Sequence, residues 1–305
     1  MTSVLCEEKI GGIYRVEIRP EDNFDVGKIF DCGQCFRFDR VENSRHGVEY
    51  SGVAFGRLVS FAQDGDVVYI YNSTAEDFEN IWRGFLSLDT DYRQIDKALL
   101  CRCDSVPFGE AVRYGNGIRI LSQDPFEAII SFIISQNNNI PRIKQIIERL
   151  SGQLGTPIDL PEEMEEHLSG KSSLCAFPTA EALNSIGIEG LFAAKTGFRA
   201  KYIYDAAEKA VAGELDYEFI RSLPTPQAID ELCKVKGIGP KVASCALLFG
   251  FEKYDAFPVD VWIKKVISKY FLTDPLHFDA SDLGEYAGIA QQYLFYYERY
   301  GGYKE

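Results

Sequence analysis

One lysine in the last third of the chain stands where a nucleophile could be built. Lys241 follows Gly237-Ile238-Gly239-Pro240, a glycine turn between two segments that predict helices, and it opens the second helix. Backbone N–H groups of such a turn can hold a phosphate, and an amine beside it can attack an electrophilic carbon. A solvated surface lysine is the alternative, although the positive end of a helix dipole disfavours a cation by about 0.3–1 kcal/mol.

An aspartate nineteen residues further on supplies a matching carboxylate. Asp260 lies in Phe257-Pro258-Val259-Asp260, at the predicted start of another helix. A carboxylate at that position commonly does no more than stabilise the helix N-terminus. It could also face a developing positive charge. A lysine paired with a carboxylate suits attack on a sugar C1′ through an oxocarbenium-like transition state.

Three other segments carry amide, arginine and aromatic side chains that could read a base. Segment 136–142 joins two predicted helices, segment 195–202 mixes bases with aromatics, and Gln291 and Phe295 share one helical face. Such side chains read base edges and wedge into opened base steps. Turn formation, helix capping and packing are the alternatives for each segment.

The charge balance argues against a general nucleic-acid binder. The 305-residue chain has a net charge of −14, whereas such binders are typically basic. The distribution of charge matters more than its sum, and the bases occur in four groups that could converge on one face. They are Arg142 and Lys144; Lys195, Arg199 and Lys201; Lys234, Lys236 and Lys241; and Lys264 and Lys265.

The eight cysteines predict free thiols in a reducing compartment. Cys32-x-x-Cys35 could be half of a zinc site, but neither Cys101-x-Cys103 nor a nearby histidine completes it. The N-terminus lacks the pattern of a signal peptide, and no apolar run approaches the roughly 18 residues of a membrane span. We therefore expect an intracellular protein, in the cytoplasm or nucleoid of a microbial cell.

The pattern of elements predicts an α+β fold. Short β-rich segments, with a hairpin signal at Asp64-Gly65, fill residues from about 10 to 72. Helix follows helix from Asp124 onwards, and the last predicted helix spans Leu283–Tyr300. Segment 105–123 is predicted to be a connection. We expect an N-terminal antiparallel sheet domain with flanking helices over residues 1–105. A mostly helical body would follow over 106–305, with a helix-hairpin-helix at about 226–249.

These motifs together resemble the helix-hairpin-helix DNA glycosylases that use a lysine nucleophile. Within that superfamily the chain resembles the 8-oxoguanine DNA glycosylases from about residue 30 to its end. The motifs, in the family's order, are Gly33-Gln-Cys-Phe-Arg-Phe38, Ser135-Gln-Asn-Asn-Asn-Ile-Pro-Arg-Ile143, Gly197-Phe-Arg-Ala-Lys-Tyr202, Val235-Lys-Gly-Ile-Gly-Pro-Lys-Val-Ala243, Pro258-Val-Asp-Val261 and Ala287-Gly-Ile-Ala-Gln291 followed by Leu294-Phe295. The resemblance implies a bifunctional base-excision glycosylase and lyase that flips the damaged base.

The resemblance also implies a role for each matching position. Lys241 would form a Schiff base with the sugar, and Asp260 would be the catalytic carboxylate. Lesion-base contacts would come from the Gly33 carbonyl, Cys245, Gln291 and Phe295. Contacts with the DNA and the opposite cytosine would come from Asn137, Arg142, Phe198, Arg199, Gly237 and Gly239. Carbonyls of Cys233, Val235 and Ile238 would hold a structural cation.

The implied enzyme needs no cofactor for catalysis and acts, as a monomer, on double-stranded DNA that contains oxidised guanine. Two departures from the family pattern stand out: Lys236 replaces the usual proline of the hairpin, and Trp262 replaces a histidine found in many members. The iron–sulfur branch is disfavoured, because no four-cysteine spacing occurs near the C-terminus. The alternatives are a non-catalytic hairpin module that holds DNA, a monofunctional alkyl-base glycosylase and a small-molecule enzyme.

Overall fold

A six-stranded antiparallel sheet forms the N-terminal part of the molecule, as predicted. The structure is a computed structural model that describes residues 2–168 and 174–301. The strands are β1 Val4–Ile10, β2 Ile13–Ile18, β3 Phe38–Arg40, β4 Val48–Ala54, β5 Arg57–Asp64 and β6 Val67–Tyr71. Their order across the sheet is β1-β2-β6-β5-β4-β3, and every neighbouring pair is antiparallel.

Two tight hairpins set the register of the central strands. Phe55 and Gly56 join β4 to β5, and both have positive φ, as a type I′ turn requires. Gly65 and Asp66 join β5 to β6 beyond the Asp64–Val67 pair. Residues Leu58–Ala62 of β5 are buried on both faces. One face packs on an aromatic core, and the other is covered by the segment that includes Met164.

The rest of the described chain is mostly helical. The helices are α1 Val26–Asp31, α2 Ala75–Asp77, α3 Arg83–Phe85, α4 Tyr92–Arg102, α5 Val106–Gly115, α6 Pro125–Ser135, α7 Ile140–Leu154, α8 Ala180–Ser185, α9 Gly187–Ala193, α10 Ala200–Val211, α11 Tyr217–Ser222, α12 Thr225–Leu232, α13 Pro240–Gly250, α14 Val261–Tyr270 and α15 Ala287–Tyr296. Short 3-10 helices span Glu162–His167, Gly197–Arg199 and Ala280–Tyr286, and π-helical turns span Phe78–Trp82 and Tyr297–Gly301.

Helix α6 forms the centre of the body. Residues 128–134 are all buried, which explains why this segment is apolar on every side. It packs against α13, the helix that carries Lys241. Tyr92, Ile95 and Leu99 of α4 join the same core, and the division of the chain near residue 105 stays a prediction. None of the described helices combines the length and the apolar character needed to cross a lipid bilayer.

Four local predictions were wrong, each for a physical reason. The expected connection 105–123 contains α5, whose buried face belongs to the core. Strand β1 was missed because five of its seven residues are exposed and charges interrupt its apolar pattern. The α1 helix was missed because it spans only six residues. The single helix expected over 283–300 is interrupted at Gly284, where φ is +76°.

A buried ion pair ties the 3-10 helix Glu162–His167 to the sheet. His167 Nδ1 lies 2.5 Å from Glu49 Oε1, and both side chains are almost fully buried. Burial acts to raise the pKa of Glu49, but hydrogen bonds from His167, Ser44 and Ser60 outweigh it and leave the pKa below its ordinary value. These contacts therefore favour the ionised form of Glu49.

Replacing His167 by phenylalanine should leave the Glu49 carboxylate buried without its main partner. We expect the free energy of unfolding at pH 7 to fall by about 3 kcal/mol, measured by urea denaturation. Because the folded pKa of Glu49 is lowered, this loss should shrink as the pH falls below about 4.3. His277→Phe, at a side chain that is 79% exposed, is the control and should change little. Equal stability of the two variants would contradict the assignment.

Candidate active site

The hairpin between α12 and α13 is built around two different glycines. Gly237 has φ of +81°, and a Cβ there would lie 2.3 Å from the Tyr202 ring, so only glycine fits. Gly239 caps α13, and a Cβ there would meet open space. Lys236 anchors the turn to α10, since its N–H and its ammonium each lie 2.9 Å from an Asp205 oxygen. The backbone at Gly239 thus stays open to a ligand.

Lys241 lies in the first turn of α13, and its amine reaches the thiol of Cys245 one turn later. Burial raises the pKa of Cys245 to about 11, and the neighbouring Lys241 charge acts against that rise. The charge of Asp260 raises the pKa of the same thiol. The amine, the thiol and the carboxylate therefore share one small volume, and the thiol is protonated near neutral pH.

Asp260 caps the N-terminus of α14. Its Oδ1 accepts hydrogen bonds from the backbone N–H groups of Trp262 at 2.9 Å and Ile263 at 2.8 Å. Both bonds fall on the same oxygen, so the carboxylate is oriented by the backbone while Oδ2 stays outside the cap. Asp260 therefore stabilises the N-terminus of α14, as one interpretation of the sequence held, and its second carboxylate oxygen remains available to interact with a ligand.

An open cleft of about 840 Å³ and a smaller inner pocket of about 80 Å³ meet at these two residues. Lys241, Asp260, Gly33, Phe132 and Phe295 line both spaces. The inner pocket also contains Cys245 and Gln291, which are buried, and it is lined altogether by Cys32, Gly33, Phe132, Lys241, Cys245, Phe249, Pro258, Asp260, Gln291, Gln292 and Phe295. All six residues predicted to serve catalysis or the lesion base therefore lie around one pocket.

Two unused acceptors line this pocket. Gln291 is 5% exposed, and its Oε1 has no hydrogen-bond partner among the described residues. The Gly33 carbonyl likewise accepts no hydrogen bond within the described chain, whereas the carbonyls on either side are occupied. Gln292 donates to Cys32 O at 2.5 Å, and Gln123 donates to Gln34 O at 2.8 Å. A buried acceptor without a partner is costly unless a ligand satisfies it.

The Gln34 side chain holds the Gly33 loop in place. It is fully buried, donates to Ile29 O and Arg119 O at 2.8 Å, and accepts from Leu121 N at 2.8 Å. Gly33 itself has φ of +79°, a conformation that favours glycine. The loop is therefore rigid before any ligand arrives.

The residues expected to meet the opposite strand fall into two groups. Asn137, Arg142 and Phe198 are exposed, and Arg142 forms no ion pair within the described residues. Arg199 is only 3% exposed, and its guanidinium donates to the carbonyls of Thr196, Gln136 and Asn137. Burial, then the charge of Arg142, lowers the pKa of Arg199. Arg199 thus holds the loop that presents Asn137.

The predicted basic groups are less available than the sequence indicates. Lys144 pairs with Asp39 at 2.7 Å, Lys234 with Glu231 at 2.6 Å, and Lys236 with Asp205. By contrast, the exposed cations Arg142, Lys264, Lys265 and Arg299 form no ion pair with any residue that the structure describes. Arg299 lines the cleft, and Arg142 lies near Arg199 beside the loop that borders the cleft. Positive charge without a paired carboxylate is therefore concentrated at the cleft.

The two cysteines of the Cys32-x-x-Cys35 motif, which were predicted to be free thiols, are buried. Cys32 and Cys35 are free thiols, and burial raises the pKa of Cys32 to about 12 and that of Cys35 well above its ordinary value. Within residues 2–168 and 174–301, no three side chains of the metal-binding types cluster together. Cys32 instead contributes its backbone to the inner pocket.

Comparison with known proteins decides the family. Residues 16–129 match the family model of the 8-oxoguanine DNA glycosylase N-terminal domain, and residues 130–280 match that of the HhH-GPD superfamily of base excision DNA repair proteins. The N-glycosylase/DNA lyase OGG1 of Arabidopsis thaliana is 31% identical over 295 residues, covering 87% of this chain and 75% of that protein. The chain belongs to the 8-oxoguanine DNA glycosylase family of the HhH-GPD superfamily.

Solved structures of 8-oxoguanine DNA glycosylases have the same fold. The 8-oxoguanine glycosylase/lyase of Clostridium acetobutylicum in its apo form is 40% identical with a TM-score of 0.85, over 96% of this chain and 98% of that one. Its complex with double-stranded DNA containing cytosine opposite 8-oxoG is 39% identical with a TM-score of 0.85, over 98% of each chain. The α+β fold inferred from the sequence is confirmed.

Sequence reasoning missed several residues of this candidate site. Gln34 and Gln292 fix the Gly33 loop by contacts across 85 or more residues, which no local pattern reveals. Arg299 lines the cleft one turn beyond Phe295, with its guanidinium 5.9 Å from that ring. The spacing of Gln291, Phe295 and Arg299 at i, i+4 and i+8 was the available signal.

Replacing Gln34 by alanine should leave the buried Arg119 carbonyl and Leu121 N–H unsatisfied, and it should leave Ile29 O with only the Cys32 thiol as a donor. We expect a loss of about 3 kcal/mol in the free energy of unfolding, together with slower base release, because the Gly33 loop is released. Gln153→Ala, at an exposed position of α7, is the matched control. Urea denaturation of both variants measures the effect. Wild-type stability of Gln34→Ala would show that the loop does not depend on this side chain.

Proposed function

We propose that this chain, as a monomer, excises 8-oxoguanine from duplex DNA and then cleaves the strand at the abasic site. The observation that carries the proposal is the inner pocket, where Lys241 and Asp260 meet an unused Gly33 carbonyl and an unused Gln291 amide oxygen. A pocket that joins a nucleophile, a carboxylate and base-reading groups suits an everted nucleotide. The named activities of the family members above point the same way.

Lys241 supplies the nucleophile in the proposed mechanism. Its uncharged amine forms the Nζ–C1′ bond while the C1′–N9 bond breaks, and the base leaves with the electron pair and takes up a proton. Asp260 Oδ2 faces the cationic sugar that develops at this point. The amine loses a proton and the sugar ring opens, with O4′ protonated, to give the Schiff base. Loss of a 2′ proton then expels the 3′ phosphate by β-elimination.

The Gly33 carbonyl distinguishes the lesion from guanine in this proposal. 8-Oxoguanine carries a proton on N7, whereas guanine has a lone pair there, so a fixed carbonyl accepts from the first and repels the second. Phe295 and the protonated Cys245 thiol flank the base, since both line the inner pocket. Gln291 contacts its Watson–Crick edge. The rigidity of the loop supports this discrimination because the carbonyl cannot turn away.

The opposite strand would be read by the exposed residues Asn137 and Arg142, with Phe198 as the wedge. The Arg199 guanidinium is already bound to the carbonyls of Gln136 and Asn137, so its proposed role is to hold the loop that presents Asn137. A direct contact between Arg199 and cytosine would require these hydrogen bonds to be exchanged.

The hairpin would hold a phosphate of the DNA at the Gly237–Gly239 backbone. The carbonyls of Cys233 and Ile238 accept no hydrogen bond within the described chain, and that of Val235 accepts only one, from Ile238 N at 3.1 Å. Unused carbonyl oxygens are suitable ligands for a hard cation. These carbonyls would hold a structural cation that offsets the charge of the phosphate, and the cation would take no part in catalysis.

The function is tested with four DNA duplexes in which 8-oxoguanine stands opposite each of the four bases. The strand that contains 8-oxoguanine is end-labelled. We expect base release and strand scission by the wild type. Lys241→Gln should lose both by at least about 10³-fold, and Asp260→Asn should slow base release by roughly 10²-fold. Lys97→Gln, at an exposed position of α4 outside the cleft, is the control.

The outcomes separate the alternatives. Base release that survives in Lys241→Gln but not in Asp260→Asn would indicate a monofunctional glycosylase that uses the carboxylate alone. Duplex binding by the wild type without release of any base would indicate a non-catalytic hairpin module. Either result would contradict the proposed mechanism.

A further inference from the structure

An exposed indole stands at the mouth of the cleft, next to the carboxylate. Trp262 is 47% exposed and lines the cleft, and its neighbour Val261 is 73% exposed. Its backbone N–H is bound to Asp260, so the position of the residue is set by the helix cap. Burying such a side chain against a partner is favourable, and nearly half of the Trp262 side chain is exposed. The cap accounts for the backbone of Trp262, but it does not account for the indole.

One exposed cation lies over this indole, and a second follows it on α14. Lys265 Nζ lies 4.9 Å from the centre of the Trp262 ring. Neither Lys264 nor Lys265 forms an ion pair within the described residues, although the chain as a whole has a net charge of −14. An aromatic face bordered by free cations is the combination that binds single-stranded nucleic acid, because bases stack on the ring and phosphates meet the charges.

We propose that Trp262 stacks on the nucleotide adjacent to the everted one, on the damaged strand, with Lys264 and Lys265 beside its phosphates. The inference rests on the proposed function, since eversion is what leaves the neighbouring base with an uncovered face. Asp260 faces the C1′ of the everted nucleotide in that proposal. Trp262 follows Asp260 by only two residues and lines the same cleft, and this proximity assigns it to the damaged strand.

The composition of the chain makes this contact directly observable. The sequence contains two tryptophans. Trp82 is fully buried in the sheet core, packed edge-on against Phe61 and Phe85. A change of tryptophan emission caused by DNA is therefore expected from Trp262 alone, and Trp262→Phe removes the signal while it keeps an aromatic ring.

The experiment is a titration of the whole protein with a duplex that carries a non-cleavable tetrahydrofuran abasic site. We expect quenching of the wild-type emission and none in Trp262→Phe. The Kd should rise about tenfold in Trp262→Ala and less than about threefold in Trp262→Phe. The single-turnover rate of base release at saturating enzyme should stay within about twofold in both variants. Phe219→Ala is the control, since that ring is 49% exposed and lies outside the cleft.

Several outcomes would overturn the inference. An unchanged Kd for Trp262→Ala, or emission that does not respond to the duplex, would show that the indole does not contact DNA. A lower single-turnover rate with an unchanged Kd would show that the residue supports the chemistry through Asp260 instead. Absence of base release and scission in the wild type is a different result, because it removes the proposed function and the inference with it.

Discussion

The geometry of the site depends on two helices that begin in the same cleft. Helix α13 places Lys241 in its first turn, and α14 is capped by Asp260, whose orientation is set by two backbone N–H groups. Neither side chain reaches the site from a flexible loop. The start of α13 is held in place by Asp205, which binds the hairpin through Lys236, and by Tyr202, which packs against Gly237. Amine and carboxylate are thereby positioned by backbone geometry.

The groups proposed to read the base come from opposite ends of the chain. Gly33 belongs to the loop that follows α1, whereas Gln291 and Phe295 lie on α15. The bond from Gln292 to Cys32 O joins the two across 260 residues. Because both neighbouring carbonyls are occupied, the Gly33 carbonyl is the acceptor left for a ligand. The N-terminal part of the chain therefore does more than support the helical body, since its Gly33 loop contributes an acceptor to the candidate active site.

Local patterns in the sequence predicted much of this arrangement, and long-range contacts supplied the rest. The β hairpins followed from turn residues such as Asp64-Gly65, and the starts of α13 and α14 followed from proline, glycine and aspartate signals. The role of Gln34 could not be predicted because its partners lie far away in sequence. The neutralisation of Lys144 and Lys236 could not be predicted from the sequence either, because their ion pairs with Asp39 and Asp205 form only in the folded chain.

The most direct measurement of the central claim is to identify the atom that attacks the sugar. The wild-type protein would be incubated with the 8-oxoguanine duplex and borohydride, the adduct digested by protease and nuclease, and the peptides sequenced by mass spectrometry. The account predicts that the reduced sugar remnant is attached to Lys241 and to no other amine. Attachment at Lys264, Lys265 or the N-terminal amine, with Lys241 unmodified, would contradict it.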